Sequence, residues 1–279
     1  VKRPDITIIT PTYNQGEFIE ETIKSVISQE GDFTLEYLIM DAGSTDATIG
    51  IIKKYDKLLK DGKWPLKCRG LDFKWVSGRD DGQSDAINKG FAATRGRVLN
   101  WINSDDRLTP GALKSLMETV AANPGAGVWA GSCNLVTPKG RVLTTVRPFG
   151  LTRDELASWG VTGFFFQPSC FFSREAWEKC GPLDLSLYIA FDLDLFLTFA
   201  AEYRIHGVDI LWSEATIHKD AKTTAREPLM NAEKYVVQAR HGYERLAISN
   251  IEKAEKAALL LAKPKRVLFS VLSALRHRN

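Results

Sequence analysis

Several features are scarce in this 279-residue chain, and each shortage excludes something. No run of about 18 apolar residues occurs, so no membrane-spanning helix is expected. The four cysteines (Cys68, Cys133, Cys170 and Cys180) form no CxxC pair and no zinc spacing, which predicts reduced, mostly buried thiols and a cytoplasmic setting. Val1–Thr10 lacks the long apolar stretch of a secretory signal, and the chain begins at Val rather than Met, so something upstream is expected to be missing or processed. No GxGxxG follows a strand, which argues against a dinucleotide-binding dehydrogenase. No internal repeat or low-complexity linker divides the chain. Net charge is small, +3 from 37 Lys+Arg against 34 Asp+Glu, so a nucleic-acid partner is not expected.

What is present is an ordinary globular composition, 44% apolar and 25% charged. The charge is uneven. Residues 251–279 hold seven bases and two acids, a local +5, which leaves −2 for the rest. Within that tail, Lys265–Arg278 places Val267, Leu268, Val271, Leu272 and Leu275 on one helical face with bases at both ends. It reads either as an amphipathic helix on an anionic membrane or as a terminal helix packed on the domain.

Strand and helix signals alternate through the first hundred residues. Asp5–Thr10, Leu35–Met40, Phe73–Ser77 and Val98–Ile102 are apolar strand-like runs. Between them, Glu17–Gln29, a segment capped by Ser44 or Thr45, and Ser84–Thr94 have helical spacing, and Thr109-Pro110 opens another helix. The alternation predicts an α/β fold with a mostly parallel sheet, whose ligands bind beyond the carboxyl ends of the strands. In the second half, Cys133–Val146 reads as a hairpin turning at Pro138-Lys139-Gly140. Helices are expected over Ser173–Cys180 and Asp192–His206, a strand over Val208–His218, and helix from Pro228 onward.

Four polar clusters fall after the early strands: Thr12–Asn14, Asp41–Asp46, Arg79–Asp85 and Asn103–Asp106. Adjacent carboxylates at a strand end, as in Asn103-Ser104-Asp105-Asp106, suit Mg²⁺ or Mn²⁺; equally, Asp and Asn are common at plain turns and helix starts. Asp41 can accept hydrogen bonds from a base or ribose, or simply cap its own turn. Lys89 and Arg79 can face phosphates or lie on a solvated helix face. Asp192 and Asp194 suit the first turn of a helix, where one of them can also project into a cleft as a general base. His218 can be structural or a metal ligand.

The order of these pieces is more specific than any one of them. ITIITPTYNQGEFIEETIKSVISQ, EYLIMDAGSTDAT, GRDDGQSDAINKGFAATRG and LNWINSDDRLTPGAL, followed by QPSCFFSREAWEKCGPLD and FDLDLFLTFA, resemble family 2 glycosyltransferases of the GT-A fold over roughly residues 4–220. The resemblance implies a Rossmann-like sheet flanked by helices with a C-terminal helical extension. It divides the chain into a nucleotide-sugar-binding half (1–107), an acceptor-binding half (108–220) and an extension (221–279). It implies inverting transfer of a sugar from a nucleotide-sugar donor, UDP-linked by expectation, to a glycan or lipid-linked saccharide acceptor in polysaccharide biosynthesis. Mn²⁺ or Mg²⁺ is the implied cofactor. Thr10, Pro11, Thr12, Tyr13, Asp41, Gly43, Asp81, Lys89, Ser104 and Asp105 match the nucleotide-binding segments. Asp105, Asp106 and His218 match the metal site, Asp192 the catalytic base, and Gln167 and Asp194 the acceptor side. Asn103 departs from the family's Asp-x-Asp metal motif, and Phe191 replaces an acid often found before the base. The implied location is cytoplasmic, with residues 263–279 touching the inner membrane face. Competing readings are a sugar-nucleotide nucleotidyltransferase, which would want a Gly-rich basic phosphate loop after the first strand, and an inactive sugar-binding module on the same fold.

Overall fold

The structure is a computed structural model that describes residues 3–219, 221–222 and 226–262, with residues 257–262 described by backbone alone. The basic tail at 263–279 lies outside the described residues. Two compact units are present, Val1–Glu227 and Pro228–Asn279.

The first unit is built on one sheet. Its strands are β1 (Ile6–Thr12), β2 (Glu30–Asp41), β3 (Lys67–Ser77), β4 (Val98–Trp101), β5 (Arg107–Leu108), β6 (Val128–Val136), β7 (Val142–Val146), β8 (Cys170–Ser173) and β9 (Ile205–Thr216). They run in the order β3-β2-β1-β4-β8-β6-β9-β5, with β7 paired to β6. The first four are mutually parallel, the arrangement expected of strands joined through helices. Beyond β4 the sheet is mixed: β8 is antiparallel to β4 and β6, β7 is antiparallel to β6, and β6 and β9 are parallel.

The helices are α1 (Ile19–Ile27), α2 (Thr48–Lys60), α3 (Gln83–Ala92), α4 (Ala112–Ala122), α5 (Arg153–Ala157), α6 (Arg174–Cys180) and α7 (Phe191–Glu202). Apolar stripes place them against the sheet. Ile19, Ile23, Val26 and Ile27 of α1 are buried against a core that includes Ile8, Ile39, Ile52 and Tyr55. Burying each such side chain is worth about 1.5–3 kcal/mol. Gly90 lets α3 press onto β1, because a Cβ there would lie 2.8 Å from the Ile9 side chain.

The two halves of the sheet are joined by a polar brace. Asn100, fully buried on β4, donates to the Pro168 carbonyl (3.0 Å) and accepts from Gln167 Nε2 (3.0 Å), which also donates to the Trp101 carbonyl (2.8 Å). Two further helices follow, α8 (Glu227–Arg240), which starts at the last residue of the first unit, and α9 (Glu244–Ala262) in the second. They are joined by a turn with Gly242 at φ 88° and a bond from Tyr243 N to the Gln238 carbonyl.

Several element ends differ from expectation. α2 begins after Ala47 rather than at a Ser44 or Thr45 cap. The Ser44 hydroxyl instead bonds the Asp41 carboxylate and receives Asn14 N–H. α4 begins after Gly111, not at Pro110, because Thr109 bonds across to the Leu211 and Trp212 carbonyls of β9. α7 stops at Glu202, since Ile205 and His206 pair with β6. The four cysteines are free thiols, Cys133 and Cys170 buried and the other two half-buried.

Candidate active site

The turns after β1 and β2 are tied to each other. Asn14, at φ 51°, donates its N–H to Ser44 Oγ (2.8 Å) and accepts Thr45 N–H on its carboxamide oxygen (2.9 Å). Gly16 N–H reaches Asp46 (2.9 Å) and Gln15 N–H reaches Thr48 (2.9 Å). Asp41, 3% exposed at the end of β2, accepts from Gly43 N–H (2.9 Å), Ser44 N–H (3.0 Å) and the Ser77 hydroxyl (2.7 Å) on one oxygen. Its other oxygen accepts the Ser44 hydroxyl. A carboxylate has about four acceptor sites, two on each oxygen, so room for a further donor remains on that second oxygen. Gly43 serves the same turn through its φ of 84°.

Around this latch the β1 residues have different placements. Thr10 is in the core, its hydroxyl 3.0 Å from Tyr37 Oη; burial pushes the Tyr37 phenol up, against the Thr10 bond. Pro11 is buried within the strand. Thr12 is buried with a hydroxyl that has no partner among the described residues, and Tyr13 is 58% exposed.

On α3, Lys89 is bound to Asp85 (2.6 Å), which also accepts Asp81 N–H (3.0 Å). Burial would raise the Asp85 carboxyl, but these two donors hold it below the ordinary value. The Asp81 side chain is exposed. Lys89 therefore has a carboxylate partner of its own, one turn away on the same helix.

After β4 the chain turns through Asn103–Asp106. The carbonyls of Ser104 and Asp106 both accept the Thr22 hydroxyl (2.9 and 2.8 Å), which fixes this segment to α1. Asp105 and Asp106 then diverge. Asp105 Oδ2 lies 3.0 Å from His218 Nε2, with the side chains 21% and 9% exposed, and the Phe18 ring lies 4.8 Å from the imidazole. Asp106 is buried and accepts Thr216 N–H (3.1 Å) and Asn103 Nδ2 (3.2 Å). Burial, and then the charge of Asp105, push its carboxyl well up against those two bonds.

Asp105 and His218 offer one hard oxygen and one nitrogen. Donors about 3 Å apart match adjacent corners of an octahedron with ~2.1 Å bonds. Mg²⁺ and Mn²⁺ are bound by few protein groups, the rest of the shell being water and phosphate oxygens, so this donor pair fits such an ion. Among the described residues no cluster of three or more His, Cys, Asp or Glu side chains is arranged to hold a metal.

Asp192 lies in the first turn of α7, half-buried, with one oxygen accepting Leu193 N–H (2.7 Å). It is near β8: burial pushes the Cys170 thiol up, and the Asp192 charge adds to the effect. The Phe191 ring lies 6.4 Å from that of Trp101, so the start of α7 sits beside the carboxyl end of β4. Asp194 is half-buried two residues on. Gln167 is in the brace to β4, and its Oε1 is buried without a partner among the described residues. Trp101 is a core residue, 1% exposed, whereas Trp159 packs on Phe164, Phe165 and Phe196.

Two residues in this region have no assigned role in the sequence reading. Gln83 donates to Asn103 Oδ1 (2.7 Å), and Lys222 donates to Gln83 Oε1 (2.8 Å) while lying 4.3 Å from the Tyr188 ring centroid. The Lys222 contact spans 139 residues, and no local pattern signals it.

The sequence model described as "Glycosyl transferase family 2" matches residues 7–181. A succinoglycan biosynthesis protein, ExoO of Rhizobium meliloti, is 31% identical over 142 residues, 51% of this chain and 37% of that one. The GalNAc(5)-diNAcBac-PP-undecaprenol beta-1,3-glucosyltransferase of Campylobacter jejuni is 29% identical over 152 residues, 54% of this chain and 45% of that one. These alignments thus span less than half of either relative. Among solved structures, S. aureus TarS 1-349 in complex with UDP aligns at a TM-score of 0.59 and 19% identity, covering 85% of this chain and 70% of that one. A mannosyltransferase from Pyrobaculum calidifontis in complex with GDP-Man and Mn²⁺ aligns at 0.58 and 19%, covering 97% and 84%. The shared architecture is the GT-A-type α/β fold, as expected from the sequence.

Proposed function

The chain belongs to glycosyl transferase family 2, and from that premise we propose that it is an inverting, metal-dependent transferase acting on a nucleoside-diphosphate sugar, with UDP-sugars the first candidates. The proposed acceptor is a hydroxyl of a glycan or lipid-linked saccharide in cell-envelope polysaccharide synthesis, a reading supported by the names of the two bacterial relatives. The observation that carries the proposal is the pairing of Asp105 with His218 beyond the strand ends, with Asp192 at the same end of β4.

This arrangement supports the following proposed roles. The linked turns after β1 and β2 form the nucleotide platform, with Thr12, Tyr13 and the second oxygen of Asp41 as contacts. Asp105 and His218 would hold Mn²⁺ or Mg²⁺, which when bound supplies positive charge opposite the departing diphosphate. Asp106 is assigned to holding the β4 turn and β9 together rather than to ligation. Asp192 accepts the proton of the acceptor hydroxyl as that oxygen bonds to the anomeric carbon. The bond from that carbon to the diphosphate oxygen breaks, and its electron pair stays on the diphosphate. One displacement assisted by one base inverts the centre, much as an inverting glycosidase does with water.

The test is a panel of UDP- and GDP-sugars incubated with the full chain and Mn²⁺, with release of nucleoside diphosphate as the readout. Slow, EDTA-sensitive release from one donor is the expected result. The absence of both binding and release across the panel contradicts the proposal.

A further inference from the structure

The sheet ends at β3, and no further strand pairs with it among the described residues. For an edge it is long, 11 residues from Lys67 to Ser77. β2 bonds only one side of it. Gly78 N–H donates to the Asp41 carbonyl (2.9 Å), and Asp41 lies opposite Ser77. By the alternation of a parallel ladder, Leu71, Phe73, Trp75 and Ser77 therefore turn their peptide N–H and C=O groups to the open side. Such a row accepts another strand unless something deters it.

The side chains of β3 separate by face. Leu71, Phe73 and Trp75 pack against the core and stay half-buried, whereas Asp72, Lys74 and Val76 are exposed. Asp72 and Lys74 pair within the chain (2.6 Å). Lysine on an edge strand ordinarily deters pairing, but an acid two residues away makes this edge complementary to itself. Let two copies of β3 lie antiparallel with Phe73 opposite Phe73. Leu71 of one copy then faces Trp75 of the other on the apolar side, and Asp72 faces Lys74 on the exposed side. A slip of two residues sets Asp72 against Asp72 or Lys74 against Lys74. A slip of one residue sets the apolar side chains against the charges. Hydrophobic pattern and charge thus select the same register, spanning Arg69 to Ser77. Of the four lysines on the neighbouring α2, Lys54, Lys57 and Lys60 have carboxylate partners in their own chain, so that helix adds little unmatched charge beside the edge.

We infer that β3 is a self-association edge, through which two copies of this chain join antiparallel into one continuous sheet with Phe73 on the two-fold axis. Such a contact is isologous and closes at two copies. It completes the outward peptide groups of both strands, covers Leu71, Phe73 and Trp75, and turns each intrachain ion pair into half of a four-charge ladder. Cross-strand pairs of opposite charge stabilise a sheet, and like charges directly opposite destabilise it. The strands run in opposite directions, so the two candidate active sites lie at opposite ends of the joined sheet. The inference does not depend on the transferase reading.

The test is sedimentation velocity of the full chain over about 1–200 µM, where a modest interface assembles. The wild type should pass from monomer to dimer within this range. Asp72→Lys and Lys74→Asp should each weaken the dimer by about tenfold or more, because both facing pairs become like-charged. The double variant Asp72→Lys, Lys74→Asp exchanges the charges and should recover the wild-type dissociation constant to within about threefold. A wild type that stays monomeric throughout overturns the inference, as does a dimer that both single variants leave unchanged. Weakening that the double variant fails to recover also overturns it, since Asp72 and Lys74 then do not face each other across the edge.

Discussion

At the scale of single residues, the candidate site divides into carboxylates that are engaged by the fold and carboxylates proposed for chemistry. Asp41 belongs largely to the first group, because four donors meet it. Asp41→Ala would strand two N–H groups and two hydroxyls, and the expected loss is about 2–4 kcal/mol in urea denaturation. A loss within error of zero contradicts the latch. Asp192 belongs to the second group. Asp192→Asn should lower transfer by about 10²–10⁴-fold, the range of general-base assistance, while nucleoside-diphosphate affinity stays near the wild-type value. Substantial residual transfer removes Asp192 from the base role. Asp105 and Asp106 show why adjacency in sequence does not assign function. One lies 3.0 Å from His218 and keeps part of its side chain exposed, and the other is buried and accepts Thr216 N–H.

At the scale of elements, the amino ends of the strands carry an ionic clamp, opposite the carboxyl ends that hold the candidate site. Asp5 accepts Thr34 N–H and hydroxyl from β2, Arg69 from β3 (2.6 Å), and Arg97 just before β4. Burial would raise the Asp5 carboxyl, but the Thr34 bonds and Arg97 hold it below its ordinary value of 3.8. A carboxylate lowered in the folded state contributes stability above its unfolded pKa and loses it as pH falls through the folded value. Asp5→Asn should therefore be less stable at pH 7 and show a flatter decline below about pH 4 in denaturation series. Matching acid limbs for variant and wild type contradict the clamp. The apolar runs of β1, β2 and β4 and the stripe of α1 were legible in the sequence, because burial on two faces or one leaves a local pattern. The start of α2, the start of α4 and the end of α7 were not. Each is decided by a partner far along the chain: Asn14 for Ser44, β9 for Thr109, and β6 for Ile205. The bond between Gln83 and Lys222 left no sequence signal for the same reason, whereas the roles proposed for Asp105, Asp192 and His218 come from family spacing rather than local chemistry.

At the scale of the whole molecule, the first unit gathers the candidate groups at one end of its sheet. The sequence adds a +5 segment at residues 251–279. Among the described residues no helix is long and apolar enough to cross a membrane. A proposed contact with anionic lipid predicts that the full chain carrying Lys265→Glu and Arg266→Glu loses flotation with phosphatidylserine vesicles, each lost base contributing about 1 kcal/mol. Equal flotation of variant and wild type contradicts it. The central claim is that a divalent ion held by Asp105 and His218 fixes the donor diphosphate. The most direct measurement is titration of UDP and GDP into the wild type with Mn²⁺, into the wild type with EDTA, and into Asp105→Ala with Mn²⁺. The account predicts binding of one nucleotide in the first experiment and its loss in the other two. Equal affinity in all three would contradict it.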